Sequence, residues 1–595
     1  MSGSLTELTS LSGRPWRLRP ADPERVRAIA QRHALAEILA RTLAVRGIEV
    51  REVPKVLRPR VRDWLVDPSR LHDLECAAER LARAVRAREP VGMIGDYDVD
   101  GATATALLAG YLRRFGCPVE IRIPDRLEHG YGPHPDLLRE LKSLGVRLLV
   151  VLDAGTTAFA ELRLARDLGL EVIVVDHHQA EEVLPPALAV VNPNRRDQDG
   201  SLGHLAAVGV CFLLLVGLQR RLRREGLFAD GEPDLLEELD LVALGTVADV
   251  VPLVGLNRAL VAQGLKVARR MRRPSLRALA ERAGIAAIDR EWHLGFVLAP
   301  RLNAAGRLGG SDLAVRCLLA GEEGEARRLA SELEGLNAER RLIEERILAE
   351  AEAAVRPQLE RDEPVLFAAH PGWHPGVLGI VAARLLERHG RAAFVAAADG
   401  DGLRGSARAP EGFDVGAAVL AARRAGLLTA GGGHAAAAGF ALPLAHREAF
   451  LALLCERARR AFGPGPTPRP PLWLDGELAV GGVTVELART LAELAPFGAG
   501  HPEPRFMLVD AAVAEARPVG DGHIQCLLYG TSGGRVRAVA FRAAGTPWGE
   551  ALLKDRTRLW LAGRVRLEHW QGEQRVSFQI EDVARPAPRP PAPIP

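Results

Sequence analysis

The chain predicts a multidomain α/β protein: a parallel-sheet domain, a long connecting helix, a smaller α/β domain and a C-terminal β-barrel of the OB-fold type. Three observations carry this. Short apolar strands alternate with helical segments between about residues 75 and 200. The segment Glu322 to Leu359 mixes Glu and Arg with apolar positions and has no Gly or Pro between Asn337 and Val355. From 472 to about 585 the pattern changes to short alternating runs.

At 595 residues the chain is too long for a single core. Residues 1–70 carry apolar spacing at Val26, Ile29, Leu35, Ile38 and Leu39, which predicts a helical N-terminal extension. Residues 71–321 form the expected first domain. Its strands are Val91 to Ile94, Val119 to Ile123, Leu148 to Leu152 and Val172 to Val175, each preceded by a helix. The stretch from about 200 onward reads as mostly helical. Residues 322–360 are the connecting helix. Residues 361–462 form a second α/β domain, with strands Pro364 to Ala369 and Ala393 to Ala398 and a glycine-rich loop at Gly431 to Gly439. The Pro/Gly segment 463–471 is a linker by composition. The barrel spans 472–585, with Gln571-Gly572-Glu573 as a hairpin turn, and the Pro-rich tail 586–595 is expected to be disordered.

Composition excludes several classes. Hydrophobic content of 48% and charged content of 26% are those of globular protein. The six cysteines are far apart and form no C-x-x-C pair, so neither a disulfide frame nor a zinc site is expected. Met1 to Arg17 lacks the pattern of a secretory signal. The apolar run Ala206 to Leu218 is too short to span a bilayer. A cytoplasmic protein with no membrane association is expected. The net charge of +3 is small, so any track for nucleic acid must be local. Basic residues are almost all arginine, which GC-rich coding explains, although arginine also forks onto phosphate.

The chemistry concentrates at strand ends. Asp96, Asp98 and Asp100 lie within five residues directly after Val91 to Ile94. Two like charges about 4 Å apart repel by on the order of 4 kcal/mol at an effective dielectric near 20, so such a cluster calls for cations. Asp153 and Asp176 follow two further strands, where open α/β sheets bind ligands. His177, His178 and Asp249 add imidazole and a further carboxylate. Oxygen ligands with imidazole suit Mn²⁺ better than Mg²⁺ alone. Two ions about 3.5 to 4 Å apart share a carboxylate, and Asp153 is the natural bridge, with His177 and Asp249 completing the second ion. One aspartate at such a position is often a helix N-cap, but capping needs one carboxylate per helix. Asp176 is expected to orient a histidine without binding metal. His178 is either a satisfied core histidine or a donor facing phosphate.

The segments Asp98-Val99-Asp100, Asp153 and Asp176-His177-His178 resemble the DHH phosphoesterases, which carry two metal ions. The fuller set resembles their single-strand-specific 5′→3′ exonuclease branch. The resemblance covers Gly95 to Gly101, Ile123 to Arg126, Pro300 to Arg307, Gly372 to Ile380, Gly405 to Arg408, Gly431 to His434 and Pro496 to Gly500. It implies that Asp96, Asp98, Asp100, Asp153, His177 and Asp249 hold two divalent ions, Mn²⁺ or Mg²⁺. It also implies that Arg126, Asn303, Arg307, His374, Ser406, Arg408, Gly433 and His434 contact DNA or its phosphates. Residues 365–440 resemble the DHHA1 domain.

Two positions depart from the family pattern: His129 stands where an acid is usual and His501 where asparagine is usual. Gly431 to His434 lacks the Gly-Lys-Ser/Thr of a Walker loop. It is either a tight turn packed by alanines or a set of backbone N–H groups near a phosphate.

The reaction implied is metal-dependent hydrolysis of single-stranded DNA from the 5′ end to mononucleotides, in repair and recombination. Single-strand-binding protein and a RecQ-type helicase are the implied partners. Two other readings use the same residues: a phosphodiesterase acting on short oligonucleotides or cyclic dinucleotides, and a non-catalytic scaffold that binds nucleic acid. The barrel argues against the first and the intact acidic set against the second. Trp473, Phe506, Trp560 and Trp570 are aromatic candidates for base stacking that could equally fill the barrel core.

Overall fold

The computed structural model describes residues 8–126, 128–228, 231–463, 469–531, 533–555, 558–570 and 573–586. Most of the expected linker, the turn residues Gln571 and Gly572, the Trp570 side chain and residues 587–595 of the tail lie outside the described residues.

The first sheet has five parallel strands in the spatial order Val119–Arg122, Val91–Gly95, Leu148–Leu152, Glu171–Val175 and Ala189–Val191. This is the doubly wound order 2-1-3-4-5, whose switch point falls between the strands Val91–Gly95 and Leu148–Leu152. Register makes the site. Gly95 lies beside Leu152, and Leu152 beside Val175. Asp96, Asp153 and Asp176 are therefore the next residues out at one level of the sheet. The central strands Val91–Gly95 and Leu148–Leu152 are fully buried and carry no charged residue because both faces are covered, whereas the edge strand Val119–Arg122 is half-buried and carries Glu120 and Arg122. Helices Leu74–Ala87, Val99–Arg113 and Ala207–Arg224 cover one face, and helices Pro135–Ser143 and Phe159–Asp167 the other.

Helix Glu323–Glu360 runs for 38 residues, about 57 Å at 1.5 Å per residue. Ala326, Leu329, Ala330 and Leu333 bury in the first core. Ile347, Ala351 and Val355 bury in the second. The helix thus belongs to both domains and fixes their spacing.

The second sheet is mixed. Its order is Ala430–His434, Ala437–Pro443, Gly402–Arg408, Ala392–Asp399 and Val365–His370, and only the last pair is parallel. The glycine-rich segment expected as a loop is an edge strand and the start of its partner, Gly433 opposite Ala438. A Cβ on Gly433 would stand 2.3 Å from the Ala437 carbonyl oxygen, so close strand packing is what the glycine allows.

Five strands close the barrel: Phe506–Val519, His523–Gly530, Arg535–Ala540, Glu573–Ala584 and Arg558–Trp570, the last returning to the first. Gly476–Leu478 adds in parallel. Phe506 is fully buried in the barrel core, and Trp560 packs in a side cluster with Trp16. Neither is a stacking platform. Trp473 stays at the surface under the Arg19 guanidinium.

The N-terminal stretch is more than the expected helical extension. It opens with strands Leu8–Thr9 and Pro15–Leu18, and the second pairs in parallel with Leu472–Leu474. Val26, Ile29, Leu39 and Leu43 then bury against barrel residues such as Leu487 and Val583. The two ends of the chain share one core. No helix among the described residues is long and apolar enough to cross a membrane.

Candidate active site

The acidic turn follows Val91–Gly95 and leads into helix Val99–Arg113. Its tightness needs Gly101: a Cβ there would stand 2.6 Å from the Asp96 amide nitrogen. Asp98 caps the helix by accepting the Gly101 N–H at 3.0 Å. Asp100 sits inside the first turn, fully buried, and accepts the N–H groups of Ala207 and Val208 at 2.6 and 2.9 Å. It thereby caps a second helix, Ala207–Arg224, whose positive end favours the carboxylate. Capping and metal ligation are compatible here, because each carboxylate oxygen has a second lone pair.

The ligand atoms form three overlapping groups, each within 4.8 Å: Asp96, Asp98 and Asp153; Asp153, His177 and His178; Asp100, His177 and Asp249. His177 Nε2 lies 3.3 Å from Asp153, 3.6 Å from Asp249 and 3.9 Å from Asp100. Asp153 thus stands between an aspartate subsite and a histidine subsite. It leaves its strand with φ of 61°, unusual for a non-glycine residue.

Electrostatics favour cations. Asp96 and Asp153 each have a buried carboxylate oxygen without a hydrogen-bond partner. An unpaired buried charge is costly, and hard divalent ions take such oxygens as ligands. Burial and the neighbouring carboxylates push Asp96, Asp100 and Asp153 well above the usual range. Burial, with Asp98, pushes Asp249 up to about 7. Burial and His178 push His177 down to about 4, which leaves a neutral imidazole with a lone pair to give.

Asp176 is saturated otherwise. It accepts N–H groups from Thr156, His177 and His178 and the His178 ring nitrogen Nδ1 at 2.8 Å. These bonds outweigh burial and hold it below the ordinary carboxylate range. In return, although burial opposes it, the bond from Asp176 raises His178 to about 9. Asn192 and Asn194 also clamp this turn, donating to the carbonyls of His178 and His177. Sequence reasoning missed both. Their only signal was the Asn-Pro-Asn run after the fifth strand.

The basic candidates gather beside the acids. The Arg126 guanidinium lies over the Tyr97 ring at 5.4 Å. Arg307 is held down at about 10 by burial, with Arg126, Arg340 and Arg408 adding repulsion. Arg408 is lowered by burial and Arg126. The three guanidiniums thus lie close enough to repel one another, and an anion among them would relieve that repulsion. Ser406 and Arg408 lie two apart on strand Gly402–Arg408, hence on one face, close to Gly379. Asn303 precedes Arg307 by one helical turn. His374 uses Nδ1 to accept the Gly376 N–H at 3.1 Å. Arg307 donates to the Gly376 carbonyl at 3.0 Å, so this arginine also ties the two α/β domains together. His434 is exposed on the outer strand of the second sheet, on the hairpin that pairs with Gly402–Arg408.

The two departures are structural. His129 accepts the Asp125 N–H at 2.9 Å and closes its own turn. His501 is buried, stacked on Phe497, and meets the Leu494 carbonyl at 2.9 Å.

A groove of about 1560 Å³ opens next to the acidic cluster at Val250 and runs between the helical region and the barrel. Arg58, Arg60, Lys266, Arg269, Arg564 and Arg566 line it. Trp292 and Phe296 face it, stacked at 6.3 Å and 19°, and are 54% and 73% exposed. Both belong to a π-helical stretch, Trp292 at its N-cap and Phe296 within it, that runs directly into the helix of Asn303 and Arg307. Asp289, Glu291 and Glu503 also line it, and Glu503 pairs with Arg564 and Arg566, so the groove carries a modest excess of positive charge beside two exposed aromatic rings. Their four-residue spacing was visible in the sequence but looked like ordinary helix.

Comparison with known proteins places this architecture. Residues 90–246 match the DHH family, N-terminal domain; residues 362–460 match the DHHA1 domain; residues 474–582 match the RecJ OB domain. The single-stranded-DNA-specific exonuclease RecJ of Escherichia coli is 36% identical over 573 residues, covering 92% of this chain and 96% of that protein. The Bacillus subtilis protein of the same name is 31% identical, covering 96% and 70%. The crystal structure of RecJ in complex with Mn²⁺ from Thermus thermophilus superposes with a TM-score of 0.81 at 34% identity, covering 96% of this chain and 80% of that one. A Mg²⁺ complex from the same organism gives 0.75 at 32% identity, covering 96% and 79%.

Proposed function

The chain belongs to the RecJ family of single-stranded-DNA-specific exonucleases, a metal-dependent nuclease acting on single-stranded DNA, and from that premise we propose how it works. Asp96, Asp98, Asp100, Asp153, His177 and Asp249 hold two divalent ions, Mn²⁺ or Mg²⁺. Such ions supply Lewis acidity and a water acidic enough to act as nucleophile near neutral pH. The observation that carries the reading is the partnerless buried oxygen of Asp153 between two groups of ligand atoms.

The chain's own residues do the rest. His178, held charged by Asp176, donates to a phosphoryl oxygen as negative charge grows on it. Arg126, Arg307 and Arg408, with Ser406, His374 and the Gly433-His434 strand, grip the 5′ end and set the 5′→3′ direction and the mononucleotide product. Asn303 steadies the same phosphates. Trp292 and Phe296 stack bases of the strand still to be cut, and the basic groove carries its backbone toward the barrel. A platform of this length supports a long substrate over a dinucleotide.

The setting proposed is repair and recombination in the cytoplasm, where single-strand-binding protein and a RecQ-type helicase present the strand. The test is 5′-labelled single-stranded DNA with Mn²⁺, beside duplex and a dinucleotide. Release of labelled mononucleotide from the single strand is expected. An intact long strand with a cleaved dinucleotide would favour the short-substrate phosphodiesterase instead.

A further inference from the structure

Tyr131 lies in the loop before helix Pro135–Ser143, between Gly130 and Gly132, which both have positive φ. It is 48% exposed, so its place does not follow from core packing. Its hydroxyl donates to the main-chain carbonyl of Asp153 at 2.9 Å and lies 3.1 Å from His178 Nδ1. Its ring meets the His178 ring edge-on at 5.6 Å. Asp153 is the left-handed residue of the site, and its backbone N–H is already anchored to the Val175 carbonyl at 2.9 Å. The phenol therefore fixes the other end of the strained peptide that aims the Asp153 carboxylate. His178 Nδ1 is committed to Asp176, so the hydroxyl proton goes to the carbonyl.

We propose that Tyr131 is a positioning residue whose hydroxyl holds the Asp153 backbone in its left-handed turn and so sets the affinity of the site for its cations. This rests on the metal reading above. Groups that orient ligands from behind typically change metal affinity or activity about 10- to 100-fold when removed.

The experiment is Mn²⁺ titration of the full-length protein without DNA, followed by the electron paramagnetic resonance of free Mn²⁺, for the parent and for Tyr131→Phe, Tyr131→Leu and Asp153→Asn. Tyr131→Phe keeps the ring and is expected to bind Mn²⁺ about 10-fold more weakly, with an unchanged melting temperature and an unchanged KM for single-stranded DNA at saturating Mn²⁺. Tyr131→Leu is expected to match Tyr131→Phe in Mn²⁺ affinity. Parental Mn²⁺ affinity in Tyr131→Phe, with Asp153→Asn impaired, would overturn the role of the hydroxyl alone. Parental affinity in Asp153→Asn would instead sink the metal reading beneath it. A raised KM in Tyr131→Leu with parental Mn²⁺ affinity in both Tyr131 variants would make the ring a base platform and overturn the proposal.

Discussion

The parallel sheet gathers its functional groups at strand ends, whereas the mixed sheet presents them along a strand and at its edge. In the first, every strand finishes on the same side, so three neighbours each deliver one carboxylate at one level. In the second, Gly402–Arg408 runs against both neighbours, so its ends diverge from theirs. It contributes instead by two-residue alternation, Ser406 and Arg408 on one face. The outcome is an anionic floor that needs cations and a cationic wall that needs an anion, joined where Arg307 meets Gly376. On the proposed reading, a phosphodiester coordinated by ions would satisfy both. The contrast implies that damage to the floor stops chemistry, whereas damage to the wall misplaces the substrate.

The sharpest break would come from Asp98→Ala or Asp153→Ala. Either is expected to lower turnover by about 10³-fold or more, on the order of 4 kcal/mol of lost transition-state stabilisation, while single-strand binding persists in a gel-shift assay. Near-normal turnover in Asp153→Ala would dissolve the distinction between floor and wall. On the wall, Arg408→Ala should cost about 1.5 to 3 kcal/mol, read as a rise in KM for 5′-phosphorylated single strands exceeding any fall in kcat. An equal effect on a strand lacking the 5′ phosphate would remove Arg408 from end recognition. Further out, Trp292→Ala should weaken binding of long strands by about 1 to 3 kcal/mol, measured by fluorescence anisotropy, and leave a dinucleotide untouched. At the joint itself, Gly376→Ala tests stability in place of catalysis, since its new Cβ would stand 2.2 Å from the Arg307 carbonyl oxygen. Overpacking against backbone costs about 1 to 3 kcal/mol or more, and a lowered melting temperature reports it.

Much of the floor was legible because an apolar run that ends in aspartate can turn in few ways. Three such runs in alternation with helices imply a common edge. Asp100 shows the limit: its bonds to Ala207 and Val208 join residues 107 and 108 positions apart, which no local pattern records. The strand Gly402–Arg408 was missed because Gly, Ser and Arg carry no apolar alternation, and the sheet around it supplies the burial. The glycine-rich strand was taken for a loop because four small residues match a turn as well as a tightly packed edge. Trp292 and Phe296 are four apart, a spacing that any amphipathic helix shows, so nothing in the sequence marks this pair as exposed instead of buried.

Pairing of Pro15–Leu18 with Leu472–Leu474 bears on how the protein is made. A ribosome adds about 5 to 20 residues per second, so the N-terminal strand emerges roughly 20 to 90 seconds before its partner. Through that interval Val26, Ile29, Leu39 and Leu43 have no barrel to cover them. The catalytic domain can complete its own core meanwhile, since its sheet and helices are contiguous in the chain. The pairing therefore predicts a stage in synthesis with a folded parallel-sheet domain and an uncovered apolar N-terminal segment. Chaperones that shield nascent apolar segments would act there, and an excised N-terminal segment supplied late should still complete the molecule.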